Sequence, residues 1–186
     1  LASFRRENPA KPEHATDTSV VLRGTDKFPS FDKDGKKHPR DVVLKLMKHK
    51  TQFDNEIGQR QGLDHEFILK VIYTSTDDGL ASKWVSELPP AYRGFEFGIV
   101  MPAAERNLMD VLLKERVGLA LAKTMFASFA HALGHLHEQG LIQGDFKPSN
   151  AVRMPDGTWI LIDMDAAVRI GEPIGVKVLC KTSATS

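Results

Sequence analysis

Apolar and polar positions along this chain follow two periods in turn. Residues 19–23 (SVVLR), 41–47 (DVVLKLM), 67–73 (FILKVIY) and 95–101 (FEFGIVM) are short runs rich in β-branched or aromatic side chains, and each predicts a strand. Between the first two, residues 24–40 (GTDKFPSFDKDGKKHPR) are turn-rich and charged, which predicts a surface excursion. Within residues 50–61, Phe53, Glu56, Ile57 and Arg60 recur at helical intervals and predict a helix. Residues 74–94, with a TDDG turn and a proline pair, read as a long connection.

After residue 101 the pattern changes. Pro102 interrupts it and polarity rises through AAERN, which predicts a junction between a sheet-rich part and a helical part. Asn107 is placed to cap a short helix running to Leu113. Residues 118–139 predict a long helix that Gly140 ends, with Met125, Phe126 and Phe129 at core spacing. Residues 151–153 and 158–163 predict two strands, and the MPDG turn joins them as a hairpin. Residues 1–18 are polar and aperiodic and are expected to be loose.

Composition narrows the classes. With 186 residues, 41% of them hydrophobic, the chain can bury a sizeable core in one domain or two small lobes. Its 25 basic and 24 acidic residues nearly cancel, which argues against a nucleic-acid or membrane-surface binder. Cys180 is the single cysteine, so neither an intrachain disulfide nor a thiolate zinc cluster can form, and a reducing, cytoplasmic compartment is expected. The N-terminal residues LASFRRENPAKPEH lack a secretory signal. The most apolar long segment, residues 119–136, is interrupted by Lys123, His131 and His135 and reads as a buried helix rather than a membrane span.

The densest chemistry lies in residues 140–150, GLIQGDFKPSN, which set Asp145, Lys147 and Asn150 close together directly after the long helix. Alone, such a loop uses its Asp and Asn to satisfy turns. Here it is followed by the hairpin, and Asp163 stands at the end of the second strand. The stretch LGHLHEQGLIQGDFKPSN … WILIDMDAA resembles the catalytic core of a eukaryotic-type protein kinase, whose catalytic loop has the D-x-x-x-x-N spacing of Asp145 and Asn150. The resemblance covers about residues 41–175 and is more specific in its C-terminal part.

The resemblance implies an α+β, bilobal protein-kinase-like fold. Residues 19–101 would form a small antiparallel-sheet N-lobe with one helix, residues 102–104 a hinge, and residues 105–186 a helical C-lobe cut short after the metal-binding strand. It implies ATP and Mg²⁺ as cofactors and a protein substrate, while the charge balance leaves neither nucleic acid nor membrane as an expected partner. Asp145 would accept or orient the proton of the attacking hydroxyl, and Lys147 would reach the transferring phosphate in the Ser/Thr-specific pattern. Asn150 and Asp163 would ligate Mg²⁺. Lys45, in VVLKLM, would hold the α- and β-phosphates with Glu56 as its partner, and the backbone of Met101, Ala103 and Ala104 would meet the adenine. The competing readings are an edge-strand Lys45 facing water, and a Glu56 on a solvated helix face with Asp54 in its role.

The chain departs from the family in several places. Gln143–Gly144 stands where His–Arg is usual, so activity should not depend on a phosphorylated activation loop. Asp163–Met164–Asp165 replaces D-F-G, with Met suited to the apolar slot. No G-x-G-x-x-G precedes Lys45. The chain starts without Met and stops after TSATS, so a partial domain is expected, with the apolar face of helix 118–139 uncovered. Two further readings stand beside the kinase. One is a small-molecule phosphotransferase of the antibiotic or choline kinase kind, and the other is a pseudokinase kept as a binding scaffold. Other candidates carry less. DKDG at residues 32–35 lacks the later ligands of a calcium loop, and His131 and His135 lack an acidic third ligand for zinc. His65 reads as a turn residue, and Cys180 lies in a tail.

Overall fold

The β-branched and apolar run VVLKLM, buried at every position but Val43, builds the central strand of an antiparallel sheet. The computed structural model describes residues 12–31, 37–63, 66–77 and 90–172. The DKDG stretch, His65 and Cys180 lie outside them. The fold is mixed α+β, and the chain divides into two compact units, Leu1–Asp54 with Lys70–Ala103 and Asn55–Leu69 with Ala104–Ser186.

The first unit is a five-stranded antiparallel sheet. Its strands are β1 (His14–Ala15), β2 (Ser19–Phe31), β3 (Lys37–Met47), β4 (Tyr73–Thr74) and β5 (Phe97–Pro102), in the order β1-β2-β3-β5-β4. Val42, Leu44 and Leu46 share one face of β3, as period two requires, and pack with Val20, Leu22, Phe95 and Val100. On the other face Phe53 meets Phe97, with ring centroids 5.6 Å apart.

Three expectations are corrected here. Residues 24–40 are not simply an excursion, because the ladder runs on through Thr25↔Asp41 and Asp26↔Arg40 and, after a register shift, Ser30↔His38. Arg40 Nη2 donates to Asp26 Oδ2 at 2.8 Å, a cross-strand ion pair that lets polar residues continue the sheet. Residues 12–18 are not all loose: β1 pairs with β2, and Glu13 N donates to Val21 O at 2.9 Å. The run at residues 67–73 is no single strand. Only its last residue joins β4, Ile72 N donates to Val100 O at 2.8 Å, and Phe67 to Leu69 belong to the other unit.

Helix α1 (Lys50–Gly58) begins in the first unit and ends in the second. The second unit continues with α2 (Leu108–Lys114), α3 (Leu119–Glu138), a three-stranded sheet of β6 (Arg106–Asn107), β8 (Ala151–Arg153) and β9 (Trp159–Leu161), and the pair β7 (Leu141–Ile142) and β10 (Val168–Arg169). Asn107 Oδ1 accepts from Asp110 N at 2.8 Å and caps α2, as the sequence predicts. Gly140, at φ 73°, ends α3 in the left-handed conformation that glycine adopts without penalty.

Met125, Phe129, Ala132 and Leu136 form one stripe along α3 and pack with Trp159, Leu161 and Met164. Phe126 is a correction: one residue round the helix from Met125, it is 69% exposed and outside the core. Phe67 enters this unit stacked on His131, centroids 5.8 Å apart, which gives that histidine a packing role. Arg153 Nη1 and Nη2 donate to Glu115 at 2.9 and 2.8 Å, its Nε donates to Glu105 at 3.0 Å, and Arg106 also reaches Glu115. No helix among the described residues is long and apolar enough to cross a membrane.

Candidate functional site

After α3 the chain turns at Gly140, makes β7, and enters a loop whose conformation its sequence dictates. Gly144 takes φ 71°, open to glycine and strained for most other residues, and this accounts for glycine directly before Asp145. Pro148 starts a 3-10 turn, Pro148–Asn150, at the position where its fixed φ and missing N–H cost least, and Asn150 N donates to Lys147 O at 2.9 Å. The turn brings Asn150 back over Asp145.

Asp145 is 3% exposed. Its Oδ2 accepts from Lys147 Nζ at 2.7 Å and from Asn150 Nδ2 at 3.1 Å, and the same amide reaches the Asp145 carbonyl at 2.9 Å. Its Oδ1 is buried and has no hydrogen-bond partner among the described residues. Leaving a buried carboxylate oxygen unmet costs about 1–3 kcal/mol, so the geometry favours an incoming donor there. Because the Asn150 nitrogen is turned to Asp145, its Oδ1 is the branch directed elsewhere.

Asp163 follows β9 with φ 64° and ψ 71°, the only positive-φ residue other than glycine among the described residues. Strained backbone of this kind persists where surrounding structure imposes it. Met164 next to it is fully buried in the core cluster, filling an apolar slot as the sequence suggests. Carboxylate oxygens of Glu56, Asp163 and Asp165 all lie within 4.8 Å of one another. Glu56 has no exposed surface, which removes the reading of a solvated helix face. Arg60 donates to its Oε1 through Nη2 at 2.6 Å and Nε at 3.0 Å, and also reaches the Leu69 carbonyl. Asp54, the competing acid, is exposed and pairs with Lys50 at 2.7 Å.

The remaining candidates belong to the first unit or its boundary. Lys45 is buried in β3, the third strand of five, opposite Val21 and Ile99, so it is not an edge-strand lysine. Met101 is buried in β5. The Ala103 amide donates to Asp41 O at 3.0 Å and is therefore already engaged, and Ala104 is the first residue of the second unit's longer segment.

Two residues gained importance only in three dimensions. Arg60 sits at i+4 from Glu56, a spacing that already signals an ion pair. Gln143 is 1% exposed, and its Nε2 donates to the carbonyls of Ile162 (3.1 Å) and Asp163 (3.2 Å) while its Oε1 accepts from Asp145 N at 3.4 Å. No single-sequence signal marks that bridge.

Set against known proteins, the chain matches no protein-family model and no curated protein.

Proposed function

We propose that the chain carries the phosphotransfer centre of an ATP- and Mg²⁺-dependent protein kinase of bilobal kinase-like fold, acting on Ser/Thr hydroxyls. The carrying observation is the division of labour at Asp145: one carboxylate oxygen is held by Lys147 and Asn150, and the other is buried and unmet. An acceptor held through one oxygen and unpartnered at the other suits the orienting of a hydroxyl for in-line attack, which is most of what phosphoryl transfer asks of a protein. Lys147 is the point charge beside it for the transferred phosphate.

The oxygen donors fit a hard divalent cation. Asp163 and the Asn150 amide oxygen would hold Mg²⁺, with Asp165 and Glu56 among the neighbouring acids. When bound, the ion supplies charge neutralisation at the phosphates. Lys45, buried in its sheet, is the cation the resemblance assigns to the α- and β-phosphates.

The test is MgATP binding by calorimetry and thermal shift, beside an Asp163→Asn variant, followed by ³²P transfer from γ-labelled ATP to a Ser/Thr peptide library. Mg²⁺-dependent stabilisation that the variant loses, with label on peptide, is the expected result. A folded protein that binds no MgATP would reject the reading.

One observation favours the scaffold reading instead. The β1–β2 connection contains no glycine and is closed by Thr16 Oγ1, which accepts from Ser19 N at 3.0 Å. The same binding experiment decides between the two.

A further inference from the structure

The structure assigns Gln143 as a positioning residue: its side-chain amide fixes the strand end that carries Asp163 to the backbone that carries Asp145. This rests on the phosphotransfer reading and deepens it. Asp145 and Asp163 lie in different segments, one in the loop after β7 and the other after β9. Gln143 meets both at once: its side chain donates to the carbonyls of Ile162 at 3.1 Å and Asp163 at 3.2 Å, while the Asp145 amide donates to the Gln143 backbone carbonyl at 2.9 Å and, at 3.4 Å, to its side-chain oxygen. A side-chain amide offers two N–H donors and an acceptor on one plane, and here the donor end meets the strand that carries Asp163.

The environment makes the bridge specific. Gln143 is 1% exposed, so its amide has no competing water, and a buried amide left unpaired would be costly. Asp163 is held in a left-handed conformation that an Asp rarely adopts, and both carbonyls bonded by Gln143 flank that strained residue's nitrogen and carbon. The side chain therefore holds the backbone on either side of the strain. Its loss would let Asp163 relax, carrying its carboxylate away from the place set relative to Asp145, without removing any group that touches substrate.

The experiment compares the full chain with Gln143→Met, which keeps the shape without the amide, and with Gln143→Glu, which keeps the acceptor and turns an oxygen toward the two carbonyls. Melting without ligand, the midpoint of Mg²⁺-dependent stabilisation by ATP, and kcat and KM on a Ser/Thr peptide library are measured for each. Both variants are expected to melt cooperatively, to need more Mg²⁺, and to lose about 100-fold in kcat with KM for peptide changed less than about threefold, the pattern of a displaced rather than a deleted group. Wild-type kcat and Mg²⁺ midpoint in Gln143→Met would overturn the role and leave the phosphotransfer reading standing. Non-cooperative melting of both variants would also overturn it, since Gln143 would then be a folding residue. A wild-type chain that neither binds MgATP nor transfers phosphate would instead remove the reading beneath it.

Discussion

Asn150 donates its side-chain amide to Asp145 twice, at 2.9 Å to the backbone carbonyl and at 3.1 Å to the carboxylate. One side chain thus fixes both the path of the loop and the orientation of the acid. Asn150→Ala would leave the buried Asp145 groups short of a donor, at a cost of about 1–3 kcal/mol. A fall in melting temperature of several degrees is expected. A variant that melts with wild type would mean the two bonds contribute no net stability.

Arg60 and Glu56 test burial in the same way. Their pair is shielded from solvent, whereas the Lys50–Asp54 pair on the preceding turn is exposed. Arg60→Ala removes two hydrogen bonds from a buried carboxylate and should cost about 1–3 kcal/mol by urea denaturation, whereas Lys50→Ala should change stability by about 0.5 kcal/mol or less. Equal effects would show that burial does not distinguish the pairs.

Hydrogen bonds from Arg153, opposed by partial desolvation, hold the Glu115 carboxyl below its ordinary value of 4.5. A depressed carboxylate contributes stability at pH above its unfolded value and loses it as pH falls through the lower, folded one. Between neutral pH and about pH 3, wild type should therefore lose more melting temperature than Glu115→Gln, which cannot titrate. Parallel pH profiles for the two proteins would remove Glu115 from the acid response.

Phe126 and Phe129, neighbours in sequence, should respond in opposite ways. Phe129 is buried and meets Trp159 edge-on at 5.9 Å, while Phe126 faces solvent. Phe129→Ala should cost about 3–5 kcal/mol, and Phe126→Ser about 0.5 kcal/mol or less. A large loss at Phe126 would mean that something covers it.

That pair also marks how far the sequence could be read. Spacing located α3 within a residue at each end, but it gave Phe126 and Phe129 equal claims on the core, because a wide apolar stripe does not say where its edge lies. The cap at Asn107, the hairpin at β8 and β9 and the stop at Gly140 were legible because each depends on residues close in sequence. The long ladder of β2 and β3 was not, since polar residues there are held by cross-strand partners such as Asp26 and Arg40. The run at residues 67–73 misled for a related reason: it is apolar throughout, and its two halves serve different units. In the loop, the closeness of Asp145 and Asn150 depends on residues near in sequence, whereas the bridge through Gln143 exists only once β9 has returned beside the loop.

The second unit is assembled from two stretches of chain that are far apart in sequence. Leu69 N donates to Leu161 O at 3.0 Å, Leu161 N donates to Phe67 O at 2.8 Å, and Ile68 forms a parallel bridge with Leu161. Closing so long a loop carries an entropic cost before any of its contacts form, which makes this a high-contact-order junction and a slow step in folding. During synthesis residues 67–69 must wait for β9 before their backbone groups find these hydrogen-bond partners. A shortened chain beginning after residue 69 would lack both the residues that bond to Leu161 and Glu56, so the second unit and its acidic cluster are not kept whole by such trimming.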